Sequence, residues 1–302
     1  MAKRIRTGVV GLGYFGKFHA NHYARHPLSE LVAIADPALA DAAVAATYNV
    51  PRFDDHRALI GRVDAVSIAA PTVLHDRIAA DFIEAGIHVL VEKPLTKESA
   101  GAGELVAQAA RKGVVLNVGH IERFSPAYRA LRGAVTEPFL VECIRHAPWR
   151  ERATDVDVIL DLMIHDIDLV LDLVRSAVIE VHASGLALMG RGLDAVVAHL
   201  RFANGAAAQI SASRVAALPA RVVRVHETRH AFAADLTART AFRFSADGGG
   251  TEPLTVAATD ALGLEITAFL EAAMGEGPGG VDGVAAVAAL EVAERIAAAT
   301  RL

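Results

Sequence analysis

The order of apolar and polar positions divides the chain into two parts of different character. In the first, short apolar runs at residues 5–10, 31–35, 65–69, 87–91 and 114–118 alternate with helix-patterned stretches at 14–25, 38–48, 75–85 and 98–112. Nearly continuous apolar runs suit strands buried on both faces, so the strict alternation predicts a parallel sheet covered by helices on either side. Gly113 stops the helix before the fifth run. Pro94 ends the fourth, because it lacks an N–H and pushes Lys93 out of the helical region.

The second part changes rhythm. Ser125-Pro126 reads as a helix start with proline at its first position. A boundary is therefore expected just before it, giving an N-terminal Rossmann domain over residues 1–122 and a second domain over 123–302. A strand at 139–147 and a buried helix at 155–174 precede a strand series at 178–188, 195–202, 206–213, 220–226, 231–236 and 240–245. Asn204-Gly205 marks a hairpin within that series, and residues 247–250 mark another turn. Two Ala-rich helices at 260–274 and 281–300 close the chain. Short loops predict an antiparallel meander with helices on one face, an α+β domain with a large, mostly antiparallel open sheet. Its other face is a surface for subunit pairing, so a homo-oligomer, dimer or tetramer, is expected.

Composition narrows the class. The 302 residues are 53% hydrophobic and 22% charged, which suits folded domains rather than disorder. A net charge of −5 without a basic block argues against a nucleic-acid surface. No apolar stretch escapes charges long enough to span a bilayer, and no leader precedes the first run. Cys143 is the single cysteine, so no internal disulfide forms and a cytoplasmic location is expected.

The chemistry begins at Gly11-Leu12-Gly13-Tyr14-Phe15-Gly16. This GxGxxG loop has a strand before it, a helix after it, and Asp36 at the end of the second strand, the context of a dinucleotide fingerprint. Gly11 allows the tight turn, Gly13 lets a pyrophosphate approach, and Gly16 lets helix and strand pack closely. Tyr14 and Phe15 at the helix N-terminus complete the loop, where N–H groups face phosphate. Asp36 would accept hydrogen bonds from both adenosine ribose hydroxyls and repel a 2′-phosphate, and no arginine follows to offset its charge, so NAD is favoured over NADP. Pro71, Thr72 and His75 follow the third strand at the expected cofactor rim. Glu92 and Lys93 end the fourth strand and His120 ends the fifth, at the sheet edge where open α/β folds place ligands. His19, His22 and His26 share a face of the first helix; with no carboxylate or cysteine among them they read as a packing or solvated face, and no metal is expected.

In the second part, Asp161, His165, Asp168 and Asp172 recur at three and four residues and share a helix face. Three acids and a histidine on such a face are costly to bury without partners. Oxidising a secondary alcohol needs a hydride acceptor, a base for the hydroxyl proton, and a charge favouring the alkoxide. NAD supplies the first. The His165 imidazole is a plausible base, because an ordinary imidazole pKa of about 6.5 lies near working pH. Asp161 would orient it or bond the sugar, and Lys93 would stabilise the alkoxide and meet them from the Rossmann side. Whether Lys93 or His165 takes the proton is left open by these residues. Arg123, Arg150, Arg214 and His120 are candidates for contacts to the cofactor or a nucleotide sugar, His120 on the cofactor side, since arginine binds oxygen pairs.

With these residues in place, the chain resembles the Gfo/Idh/MocA family of NAD(P)-dependent sugar oxidoreductases over essentially its whole length. The resemblance rests on Gly11-x-Gly13-x-x-Gly16, Glu92-Lys93-Pro94 and Asp161-x-x-x-His165. It implies that Lys93, Asp161 and His165 are catalytic and that NAD is the cofactor. The stretches GVVGLGYFGKFHA, VGHIERFSPA, TDVDVILDLMIHDIDLVL and FANGAAAQISASR resemble members acting at C3 of UDP-N-acetylglucosamine, the step feeding 3-amino sugars of lipid A. Alternatives are a same-family dehydrogenase of a free sugar or inositol, a non-catalytic NAD-binding regulator, and a metal enzyme using His165, Asp166 and Asp168. The last has poor ligand geometry, because adjacent helix positions point apart.

Overall fold

The computed structural model describes residues 4–38, 47–149, 156–189 and 192–300. Contacts gather the chain into two units: Met1–His120 with Leu262–Ala288, and Ile121–Ala261 with Ala289–Leu302.

The first unit holds β1 (Ile5–Val10), α1 (Tyr14–Arg25), β2 (Ser29–Ala35), β3 (Arg52–Phe53), β4 (Ala65–Ile68), α2 (His75–Glu84), β5 (His88–Glu92), α3 (Ser99–Lys112) and β6 (Leu116–Gly119). The strands pair in parallel in the order β6-β5-β4-β1-β2-β3. Val9, Ile34, Val66, Ile68, Val89 and Val91 are buried, as strands covered on both faces require. The order reverses direction beside β1, so the loop after β1 stands at the topological switch point. In register, Val10 pairs with Ile68, Ile68 with Val91, and Glu92 with Gly119. Every strand therefore delivers its following turn to one sheet edge. Gly113 ends α3 in the left-handed conformation at φ +65°, as its position in the sequence predicted.

One expectation lies outside the described residues and another is overturned. The helix expected at 38–48 falls mainly on residues 39–46, outside the described residues. The closing stretch expected as one helix from 281 begins instead with Val281–Asp282, an antiparallel strand on β6. That pairing and the helix Ala261–Ala273 bring residues 262–288 into the first unit, so a single cut between 122 and 123 does not describe the chain. Helix Gly283–Ala299 divides between the units at Ala288.

The second unit contains α4 (Pro126–Ala134), β7 (Leu140–His146), a π-helical turn Ile159–Met163, α5 (Ile164–Val174), and strands β8 (Val178–Leu186), β9 (Ala195–Phe202), β10 (Ala207–Ser213), β11 (Ala220–His226), β12 (His230–Asp235), β13 (Thr240–Ser245) and β14 (Gly250–Pro253). Pro126 is the first residue of α4, as expected. The eight strands order as β14-β13-β12-β11-β7-β10-β9-β8. Hairpin chemistry fixes β9–β10: Gly205, at φ +89°, donates to the Phe202 carbonyl. The plain meander is corrected in one place. β7 lies between β10 and β11 and runs parallel to β10, because an earlier strand has filled the gap a meander would close directly. One sheet face packs against α4, the π-turn and α5. Outward positions such as Ile179, Leu186, Val197, Phe242 and Phe244 stay exposed.

Candidate active site

The nucleotide end of the first unit is built by backbone geometry. Gly11 has φ +86°, and a Cβ there would lie 2.6 Å from the Ala69 carbonyl oxygen. A Cβ on Gly16 would collide with the Gly11 carbonyl oxygen, so α1 sits directly against the loop. Gly13 faces open space and begins α1 without a side-chain cap, leaving first-turn N–H groups available to an anion. Asp36 is buried and anchored on both oxygens: Leu12 N–H donates to Oδ2 at 2.5 Å and Ala38 N–H to Oδ1 at 2.7 Å. Its remaining lone pairs are available to ribose hydroxyls. A cleft of about 720 Å³ is lined by Gly11, Gly13, Asp36, Asp54, Asp55, Ala70 and Pro71 among others. Arginines do lie near Asp36, unlike the sequence expectation. Arg52, however, donates to the Asp36 and Ala38 carbonyls and to Asp54, and Arg57 to Asp81, so neither neutralises the Asp36 carboxylate. Glycine cradle, helix terminus and anchored acid fit NAD. Tyr14 and Phe15, exposed at the loop, form an edge-on aromatic cluster with Phe18.

At the ends of β5 and β6 lie Glu92, Lys93 and His120. Glu92 receives a 2.9 Å hydrogen bond from His19 Nε2, while His19 Nδ1 meets Ser67 Oγ at 2.9 Å and Ser67 meets the Tyr23 hydroxyl at 2.6 Å. Burial would raise the Glu92 carboxyl. The His19 hydrogen bond and the nearby Lys93 charge outweigh it and hold the group below the usual glutamate range. Lys93 is half-buried and its bond to Pro94 is cis. His120 is buried. His75, expected at the cofactor rim, acts as a structural latch between two turns. Its ring is buried, with Nδ1 2.9 Å from the Pro94 carbonyl and Nε2 2.8 Å from the Ala70 carbonyl, so it ties the turn after β5 to the turn after β4. Thr72, in the intervening short turn, is half-buried.

In the second unit the acidic helix resolves residue by residue. Asp157 accepts N–H groups from Ile159 and Leu160 and so starts the π-turn carrying Asp161; His165 follows in α5. Single-turn π segments concentrate at functional positions. Both Asp161 and His165 are half-buried. The other acids are held by arginines. Arg123 grips Asp168 through two bonds of 2.7 and 2.6 Å, and Arg145 grips Asp166 through two of 2.9 Å while bonding Glu122 at 2.7 Å. Asp172 takes the Tyr128 hydroxyl at 2.6 Å and Arg132 at 3.2 Å. Burial would lower the Arg145 guanidinium, but Asp166 and Glu122 raise it well past the ordinary arginine value.

Two of the arginines expected at substrate have acidic partners within the second unit. Arg123 is committed to Asp168, with Asp172 3.6 Å away. Arg214 is buried, bonded to Asp194 at 2.7 Å and to the Val156 carbonyl at 2.8 Å, with its guanidinium 5.6 Å from the centre of the Trp149 ring. Planar donors suited to a diphosphate suit a carboxylate equally, and a buried acid on the same chain claims them first. Arg150 lies outside the described residues. The metal alternative loses its ligands, since Asp166 and Asp168 are each held by an arginine. Sequence reasoning placed His19 on a packing or solvated face and did not foresee its bond to Glu92. Its signal was Ser67, a polar residue within the buried run Ala65–Ile68, which requires a polar partner from the helix packed against it.

A switch-point glycine loop with an anchored acid on a parallel sheet, joined to a second α+β unit, defines an NAD-binding oxidoreductase. The chain belongs to the Gfo/Idh/MocA family: the oxidoreductase family model with an NAD-binding Rossmann fold matches residues 5–120, and the family's C-terminal domain model matches residues 127–233. It is 38% identical over 292 residues to UDP-N-acetylglucosamine 3-dehydrogenase from Acidithiobacillus ferrooxidans, covering 93% of this chain and 92% of that one. A solved structure of that enzyme, GnnA, superposes with a TM-score of 0.93 at 37% identity, over 98% of both chains. Inositol 2-dehydrogenase from Rhizobium meliloti is 29% identical over 324 residues, covering 98% of each chain. Among the described residues, no helix is long and apolar enough to cross a membrane.

Proposed function

We propose that the protein oxidises the C3 hydroxyl of UDP-N-acetylglucosamine to the 3-keto sugar with NAD. The observation that carries this reading is the 38% identity, across nearly the full length of both chains, to an enzyme named for that reaction. NAD, held by the loop from Gly11 to Gly16 and by Asp36, supplies the hydride acceptor. Lys93, Asp161 and His165 are assigned to the substrate hydroxyl. Lys93 stabilises the alkoxide through its charge, and His165, with Asp161 one turn earlier, provides a base and its orientation. Asp161 stands in a single π-helical turn, a conformation that concentrates at functional positions, and His165 follows one turn later on the same helix, which supports their joint use on substrate. Glu92 and His120 stand with Lys93 at the strand ends and are assigned to the nicotinamide side of the cofactor. The exposed apolar positions of the second unit's sheet, Ile179, Val197, Phe242 and Phe244, support self-association through that face.

Same-family action on inositol is the second reading, favoured by relatives named inositol 2-dehydrogenase that are 29% identical across 98% of the chain and 33–34% identical across 55–60% of it. A panel of UDP-N-acetylglucosamine, myo-inositol and glucose, each with NAD and followed by NADH absorbance, separates the two. The nucleotide sugar is expected to give the highest kcat/KM. Faster turnover of inositol or glucose would transfer the assignment to a free polyol or sugar.

A further inference from the structure

We propose that His19, backed by Ser67 and Tyr23, is a positioning residue for the reaction, acting through Glu92 on the turn that presents Lys93. The inference rests on the assignment of Lys93 above.

Three polar side chains run in series through the interior of the first unit. Tyr23 and Ser67 are fully buried and His19 is 1% exposed. Donor order follows from the ends. Burial keeps the Tyr23 phenol protonated, so it donates to Ser67 Oγ. Glu92 is a carboxylate and only accepts, so His19 carries a proton on Nε2 and donates it to Oε1. Ser67, already accepting from Tyr23, then has its own proton for His19 Nδ1. Each donor is used once and all of them point toward Glu92.

Packing alone does not ask for this arrangement. Apolar side chains would fill the space between α1 and β4 without the cost of burying three polar groups. The chain ends at a side chain on the ligand edge of the sheet, next to Lys93. It does not reach solvent at its other end, since Tyr23 is enclosed, so it holds a group in place rather than conducting protons. The far side of Glu92 is restrained as well. A Cβ on Gly119, its register partner, would lie 3.0 Å from Oε2, so the carboxylate is wedged between the His19 ring and a bare backbone. The titratable groups facing Glu92 are His19 from α1, His75 from α2 and Lys93 beside it. A carboxylate fixed at this point sets the charge and direction of the neighbouring ammonium.

The test uses three variants of the full chain, His19→Leu, His19→Gln and His19→Asn. Glutamine extends an amide to the Nε2 position, whereas asparagine reaches only the Nδ1 position. Two properties are read: steady-state kinetics, and the pH titration of the Glu92 carboxyl by carbon NMR, assigned with Glu92→Gln. The expected result is a kcat reduced ~10- to 100-fold in His19→Leu and His19→Asn, with KM for NAD within ~3-fold and recovery of most of kcat in His19→Gln. The Glu92 titration midpoint should move up in the Leu and Asn variants and return in the Gln variant. A Leu variant that does not fold leaves the decision to the Gln–Asn pair. Wild-type kcat in His19→Asn, equal losses in the Gln and Asn variants, or an unmoved Glu92 midpoint would each overturn the inference. If wild-type protein turns over no sugar, the substrate reading fails separately, and the Glu92 midpoint in the apoprotein still decides the role of His19.

Discussion

At Lys93 the chain commits an ammonium to the end of a buried strand, half-covered and beside a carboxylate held ionised by His19. His165 and Asp161 stand in the other unit on the face of a helix whose further acids are paired with arginines. Replacing Lys93 or His165 by alanine should leave NAD affinity near wild type and lower kcat by ~10²- to 10⁴-fold, the usual contribution of a positioned general acid–base group. Isothermal titration with NAD beside steady-state kinetics checks this, and a variant that keeps wild-type kcat removes its residue from the mechanism. Much at this scale was legible. Gly11 and Gly16 make the tight turn and close packing that the fingerprint requires, because backbone sterics are a local property. The partners of Arg123, Arg214 and His75 were not legible for a common reason. Each of these three side chains is chemically suited to a ligand, but each bonds partners five to fifty-eight residues away, and a sequence does not display that pairing.

Elements show the same division between local and distant causes. The strand–helix alternation, the Gly113 stop, the Pro126 start and the Asn204-Gly205 hairpin depend on near neighbours and were readable. The insertion of β7 beside β10 depends on long-range pairing and was not. Neither was the Arg145–Asp166–Glu122 cluster beneath α5, where removing one partner of a buried pair typically costs about 3–5 kcal/mol. β5 carries its own pH sensitivity. His88 at its start accepts the Val115 N–H on Nδ1, and burial lowers the imidazole, with Asp64 opposing. A histidine depressed in the folded state contributes stability that is present above its unfolded value of about 6.5 and lost as pH falls through the lowered folded value. Urea midpoints should therefore drop between pH 7.5 and 5.5 in the wild type and drop less in His88→Gln; equal drops would remove His88 as a cause.

At the scale of the molecule, both fold types were legible because the change from helical to two-residue periodicity is written along the chain. The return of residues 262–288 to the first unit was not, since two residues, Val281 and Asp282, carry the strand that brings them back. The parallel sheet supplies the cofactor cradle, and the open sheet carries the helix of Asp161 and His165. In the proposed reaction a hydride moves from C3 of a nucleotide sugar to NAD. UDP-N-acetylglucosamine deuterated at C3 tests that claim most directly, with proton NMR of the nicotinamide after turnover. The account predicts deuterium at C4 of the NADH formed and a 3-keto sugar in equal amount. NADH free of deuterium, or none formed by protein that oxidises inositol with NAD, would contradict it.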